Sequence, residues 1–199
     1  MRIINLTDPQ SMIYSSNVYL ILGNWSAIED VNTLIDVGNN PSIIKAIRNA
    51  PTGVGKPAVE RVILTHGHFD HTALLPQIRA QFNPRVYAHP AFTDADIALQ
   101  DDAELGCGDR TFQVIFTPGH SEDSICLYCE QEGVLFVGDT PVVIRSDEGT
   151  HEKGFVDALA RLCQKRVQAI YFGHGQPVLK GAQAVLLESL KNVRCAMAR

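Results

Sequence analysis

Three histidines and an aspartate fall within six positions of "VERVILTHGHFDHTALLPQI", residues 59–78: His66, His68, Asp70 and His71. The run before them, 58–65, is apolar and β-branched and reads as a strand. The run after them, 72–82, has helical period. The hexad H-x-H-x-D-H must therefore occupy a loop that a strand holds rigidly and a helix leaves, where backbone is free to aim several side chains at one point. Pro76 fits a helix over 72–82 only if that helix begins near residue 72. Any fold for this chain has to bring partners to that loop.

A metal explains this concentration of imidazole and carboxylate better than other readings. Divalent zinc takes both donor types and wants three or four ligands. Four candidate ligands in six residues are not expected to converge on one ion, because Asp70 and His71 should diverge from His66 and His68. Two ions about 3.5–4 Å apart resolve this, each completed by ligands from elsewhere. Three places offer them. His120 follows a strand and a Pro-Gly turn in "FTPGHSEDS", Asp139 follows a strand and a glycine in "LFVGDTPVV", and His174 stands between two glycines in "IYFGHGQPV". Taken singly, Asp139 is equally a turn former, and the hexad equally a lone structural zinc site completed by one distant residue. Of the seven histidines, His89 has no assigned role and His151 reads as a helix-terminus residue.

The order of elements bounds the architecture. Strands are expected over 16–23, 32–38, 58–65, 85–90, 110–117, 124–131, 133–139 and 167–173. Helices are expected over 40–50, with Asn40 as N-cap, and over 148–165 and 181–198. The acidic stretch 94–106 reads as either a helix or an irregular loop. Strands come first, then mixed βαβ, then strands, then βα. That order suggests two sheets with helices outside rather than a doubly wound fold. A chain of 199 residues with 45% hydrophobic content can fill a sizeable core and is expected to form one domain, 1–199.

Composition narrows the partners. A net charge of −5 with no basic cluster argues against nucleic acid. The opening "MRIINLTDPQSMIY" lacks the pattern of a signal peptide, and no apolar run approaches a membrane span, so a cytoplasmic, membrane-independent protein is expected. The five cysteines are too irregularly spaced for a disulfide framework. Cys126 and Cys129 form a C-x-x-C, but on a strand they point to opposite faces and read as core thiols.

These motifs together resemble the metallo-β-lactamase superfamily: H-x-H-x-D-H at 66–71, then Gly-His at 119–120, Gly-Asp at 138–139 and Gly-His at 173–174. The resemblance implies an α/β, four-layer αββα sandwich of two mixed sheets flanked by helices. It implies that His66, His68 and His120 hold one ion, that Asp70, His71 and His174 hold a second, and that Asp139 bridges them. It further implies a metal-dependent hydrolase in which Asp70 orients a metal-bridging hydroxide and shuttles its proton. Zinc is the first expectation for the two divalent ions, with iron or manganese as alternatives.

Within the superfamily, the ligand set is similar to that of glyoxalase II. The chain, however, ends about 25 residues after His174, which leaves no room for that family's helical glutathione-binding domain. After Asp139 it reads "TPVVIRSDEGTH" rather than a glycine-rich basic segment. The expectation is a small-molecule thioester, ester or lactone as substrate, with "DEGTH" and 90–108 lining the pocket. Homodimers are common in such domains. Two other readings stand beside it. One is a mononuclear iron oxygenase resembling the persulfide dioxygenases, using His66, His120 and Asp139; the other is a non-enzymatic, metal-bound ligand sensor.

Overall fold

The computed structural model describes residues 1–198. Eleven strands form two sheets. The first sheet runs in the order β1 (Arg2–Asn5), β2 (Tyr19–Leu22), β3 (Thr33–Ile35), β4 (Arg61–Ile63), β5 (Arg85–Ala88) and β6 (Ile97–Ala98). Its first two pairings are antiparallel and the remaining three parallel. The second is ordered β11 (Ala169–Phe172), β10 (Val134–Gly138), β9 (Ile125–Cys129), β8 (Arg110–Phe116) and β7 (Glu104–Cys107). In it only β10 and β11 are parallel.

Period-two alternation explains why the sheets stack. Along β2 and β3, Leu20, Leu22 and Leu34 face outward into a cluster with Ile43 and Ile47 of α1 (Ser42–Asn49) and Leu75 and Ile78 of α3 (Leu75–Phe82). Their neighbours Tyr19, Ile21 and Ile35 face inward, where they meet Phe112, Val114, Leu127 and Phe136 of the second sheet. The second sheet's outer face packs Cys126, Leu135 and Val137 against Phe155 and Leu159 of α4 (Lys153–Cys163) and Leu186 and Val193 of α5 (Ala182–Met197). The result is the expected αββα sandwich of two mixed sheets. The C-x-x-C divides as expected too, Cys126 in the outer cluster and Cys129 in the inner one.

Several local expectations change. The hexad is not simply loop: Phe69–Thr72 forms a short helix, α2, and α3 starts only at Leu75, which puts Pro76 in its first turn, where a missing N–H costs nothing. The N-cap of α1 is Pro41 rather than Asn40, which stands one residue earlier with its Oδ1 accepting from Ser42 N at 3.0 Å. Of the two readings of the acidic stretch 94–106, the irregular loop holds for most of its length, interrupted by two short strand segments. The first is β6, drawn onto β5 by bonds from Asp96 N to Val86 O and from Leu99 N to Ala88 O; the second is the start of β7, which pairs with β8 in the other sheet. Strand β1 carries no expectation from sequence. No described helix is long and apolar enough to cross a membrane.

Candidate metal centre

Parallel strands β3 and β4, and the co-directional β8, β10 and β11, end at one rim between the sheets. Backbone bonds tie these ends together. Ile125 N donates to Thr65 O at 2.8 Å, Gly173 N to Gly138 O at 2.7 Å, and Asn17 N to Gly173 O at 2.6 Å. The side chains that leave this rim are those of the hexad, His120, Asp139 and His174.

All seven converge. Their donor atoms fall into three overlapping groups, each within 4.8 Å: His66, His68 and His120; His66, His71 and Asp139; Asp70, His71 and His174. The expected divergence holds for Asp70 but not for His71, whose ring centroid lies 4.2 Å from that of His66. His68 Nδ1 is 2.9 Å from His120 Nε2, and His174 Nε2 is 3.0 Å from Asp70 Oδ2. Asp139 faces both sides, with Oδ1 3.3 Å from His71 Nε2 and Oδ2 3.7 Å from His120 Nε2 and 3.5 Å from His174 Nε2.

Two glycines make this approach sterically feasible. Gly138 has φ +51°, and a Cβ there would stand 2.5 Å from Thr65 Oγ1. A Cβ on Gly173 would stand 2.2 Å from Asp139 Oδ1. Both positions require the absent side chain.

The residues fit a metal. His66 Nε2 and His71 Nε2 are buried with no hydrogen-bond partner among the described residues, whereas their Nδ1 atoms are engaged from behind. A buried imidazole nitrogen left unpaired is costly unless it has something to bind. Burial first, and then the neighbouring His71, push His66 down to about 4, so its lone pair is free at neutral pH. Burial opposes a charge on His71, but Asp36 and Asp139 outweigh it and raise the imidazole to about 10. Burial likewise opposes the charge on Asp139, and His71 outweighs it, holding the carboxyl down to about 2.

Sequence reasoning missed the support behind these ligands. Asp36, inside "NTLIDVG", is 2% exposed and has φ +58°. Its Oδ1 accepts from Thr65 N and its Oδ2 from Thr65 Oγ1, both at 2.8 Å, and Oδ2 also meets His71 Nδ1 at 2.8 Å. Such an outer partner fixes the tautomer and aim of a liganding histidine. The available signal was an acid ending an apolar strand, since a buried charge is the informative exception. Asn17 is a second: its Nδ2 donates to Phe172 O and Gly175 O, bracing the loop that carries His174. Tyr14 is a third, its ring stacked on His174 with centroids 5.0 Å apart and planes 15° apart.

A cleft of about 300 Å³ opens onto the ligands, with His120, Asp139 and His174 on one wall and Pro141, Val143 and Phe172 on another. Larger hollows of about 510 and 560 Å³ lie elsewhere, lined by none of the seven. Of the two segments expected at the pocket, Thr150 and His151 line an adjoining hollow. In 90–108, residues 97–98 and 104–107 pair into β6 and β7, while the Phe92 ring lies against Gly67 of the hexad. His89 meets the Phe116 ring at a tilt, centroids 4.4 Å apart, and belongs to none of the three donor groups.

The sequence profile of the metallo-beta-lactamase superfamily matches residues 13–97 and 90–174, which covers every one of these side chains. The chain belongs to that superfamily. Among its relatives, a hydroxyacylglutathione hydrolase of Francisella tularensis subsp. novicida (strain U112) is 38% identical over 88 residues, 43% of this chain and 35% of that protein. The lactamase-like protein adaB of Aspergillus niger is 27% identical over 183 residues, 88% of this chain and 54% of that one. The matches thus span little more than a third to about half of these relatives' lengths.

Among solved structures, ETHE1 from Myxococcus xanthus superposes with a TM-score of 0.73 at 22% identity, over 100% of this chain and 91% of that one. A metallo-beta-lactamase family protein from Thermus thermophilus gives 0.69 at 19%, over 96% and 80%. At such identities the likeness is one of fold. Members of the superfamily are mostly metal-dependent hydrolases, and this chain carries the donor set for divalent metal.

Proposed function

We propose that the chain is a dinuclear metal-dependent hydrolase acting on a small thioester, ester or lactone. The observation that carries this reading is the position of Asp139. Its Oδ1 lies 3.3 Å from His71 Nε2, and its Oδ2 lies 3.7 Å from His120 Nε2 and 3.5 Å from His174 Nε2, so one carboxylate reaches histidines of both groups. In this reading His66, His68 and His120 hold one ion, Asp70, His71 and His174 hold the other, and Asp139 serves both. Zinc suits a nitrogen and carboxylate set without thiolate, and iron or manganese would accept the same donors. When bound, such metals would lower the pKa of a coordinated water toward neutrality and polarise a carbonyl.

The remaining work falls to the chain. Asp70, 18% exposed and fixed against His174, accepts the proton of the attacking water and keeps the nucleophile oriented. Pro141, Val143 and Phe172 hold the acyl part and keep bulk water from that side of the carbonyl. The name of the Francisella relative, hydroxyacylglutathione hydrolase, supports thioesters first. The substrate is a small molecule in this reading, with neither nucleic acid nor membrane as partner, and a cytoplasmic homodimer is the assembly to test by light scattering.

Elemental analysis and a hydrolase panel on one preparation test the reading. About two metals per chain and turnover of a thioester, ester or lactone are expected. His68→Ala and Asp139→Ala should fall to the uncatalysed background while remaining folded by circular dichroism. About one iron per chain with thiol-dependent oxygen consumption would return the oxygenase reading on His66, His120 and Asp139. Two metals with no turnover across the panel would return the sensor.

A further inference from the structure

A hollow of about 390 Å³ adjoins the metal site, lined by Gly119, Pro141, Thr150, His151, Glu152 and Phe155. It borders the ligand cleft. Gly119 immediately precedes His120, and Pro141 lines both hollows. The two lobes therefore share Pro141 as a wall, and the second reaches the backbone that carries His120.

Their chemistry differs. Beyond the ligands, the first lobe offers Val142, Val143 and Phe172, and the hydroxyl of Thr140 there is already paired with Thr117 at 2.9 Å. The second offers a hydroxyl, an imidazole and a carboxylate. His151 lines this wall, its Nε2 buried and without a hydrogen-bond partner among the described residues. Among the described residues Glu152 is the one charged side chain on its wall, and no lysine or arginine lines it. An acyl chain without donors or acceptors belongs in the first lobe, since burying polar groups there would leave them unpaired. The heteroatom-bearing half belongs in the second.

We propose that this second lobe is the leaving-group subsite, and that it takes a thiol or alcohol with a neutral or cationic head in preference to an anionic one such as glutathione. The proposal rests on the hydrolase reading of the same site and names its substrate class. Glu152 is exposed, so its influence is screened and amounts to a few-fold in rate rather than orders of magnitude.

The test holds the acyl group constant and varies the leaving group: acetylthiocholine (cationic), S-acetyl-N-acetylcysteamine (neutral) and S-acetylglutathione (anionic), on the zinc-loaded protein at low salt. The first two should show kcat/KM about 3- to 10-fold above the third, and Glu152→Gln should shrink that ratio about 2- to 5-fold. A second readout needs no turnover. In amide-resolved NMR of the zinc-loaded protein, choline should shift Gly119, Thr150 and His151, and S-methylglutathione should not. Equal rates, a preference for the glutathione ester, an unchanged ratio in Glu152→Gln, or shifts elsewhere would overturn the subsite while leaving the hydrolase intact. If none of the three esters nor any other of the panel is cleaved, the hydrolase reading fails and the leaving-group assignment with it. The choline shifts then tell that failure apart from the absence of a binding lobe.

Discussion

His71 Nδ1 lies 2.8 Å from Asp36 Oδ2, with the two side chains 0% and 2% exposed. The pairing leaves the other ring nitrogen, Nε2, directed at Asp70 and Asp139. Asp36 thus sets the aim of a metal-facing histidine from the end of a different strand, while the same carboxylate binds Thr65 at the mouth of β4.

Replacing Asp36 tests that dependence. Asp36→Ala should weaken binding at the Asp70–His71–His174 side about 10- to 100-fold, measured by titration against a competing chelator. It should also destabilise the fold by about 1–3 kcal/mol, because Thr65 and His71 lose their buried partner. Asp36→Asn should be milder in stability, since asparagine tolerates the left-handed backbone at φ +58° and keeps one acceptor. Equal metal affinity in all three proteins would remove Asp36 from the site.

Steric crowding makes a sharper prediction at the glycines around His174. Gly173→Ala puts a methyl 2.2 Å from Asp139 Oδ1 and 2.7 Å from His71 Cε1. The carboxylate common to both sides must move, so both metals should be lost together by elemental analysis. Gly175→Ala is the control. Its φ of +80° strains an alanine by about 1–2 kcal/mol, yet its Cβ meets nothing within 4 Å. It should melt earlier but retain metal.

The metal-free protein should carry a proton on His71 at pH 8, because that imidazole is held up at about 10, and none on His66, held down at about 4. Metal uptake should therefore release about one proton from His71 and none from His66, read as a buffer-dependent heat in calorimetry. The two shifts act oppositely on metal-free stability. The raised group contributes fully below its unfolded value of 6.5 and loses that contribution as pH rises through about 10. The depressed one contributes above 6.5 and is lost as pH falls through about 4. In His66→Gln the loss of stability between pH 6.5 and 4 should be smaller than in the parent.

How much of this was legible depends on whether the signal is local. Each of the seven metal-facing residues announces itself beside a strand end, two of them, Asp139 and His174, after a glycine that the packing later requires, and strand ends are visible in apolar period. The sandwich was legible for the same reason: Tyr19 and Leu20 sit one apart in sequence and on opposite faces in the fold. Asp36 was hidden because its role exists only once β3 lies beside β4. Asn17 was hidden because it braces a loop more than 150 residues away. The short strand β6 inside 94–106 was hidden because its pairing to β5 rests on backbone bonds such as Leu99 N to Ala88 O, which leave no trace in side-chain pattern.

The cysteines provide an independent check on the layer assignment. Burial raises Cys126 and Cys107 to about 11, and both are sealed in the core. Cys195 is exposed. A thiol reagent at pH 8 should label Cys195 rapidly in the native protein and leave Cys107, Cys126 and Cys129 until it unfolds. Fast labelling of Cys126 together with Cys129 would mean that the C-x-x-C strand is not held between the two outer layers as described.

Tyr14 offers the last test, because its position is dictated from both sides. The loop bearing it is anchored where Ser16 N donates to Asp70 O and Asn17 N to Gly173 O, the backbones that carry Asp70 and His174. The phenol oxygen lies 3.5 Å from His174 Nε2. A metal on that nitrogen would take its lone pair, leaving the hydroxyl to turn toward substrate. Tyr14→Phe keeps the stacked ring and should leave metal content unchanged while altering kcat more than KM. Tyr14→Ala removes the ring as well and should raise KM in addition, again with both metals bound. Loss of metal in Tyr14→Phe would show instead that the hydroxyl supports His174 directly, and unchanged kinetics in Tyr14→Ala would place the loop outside the reaction path.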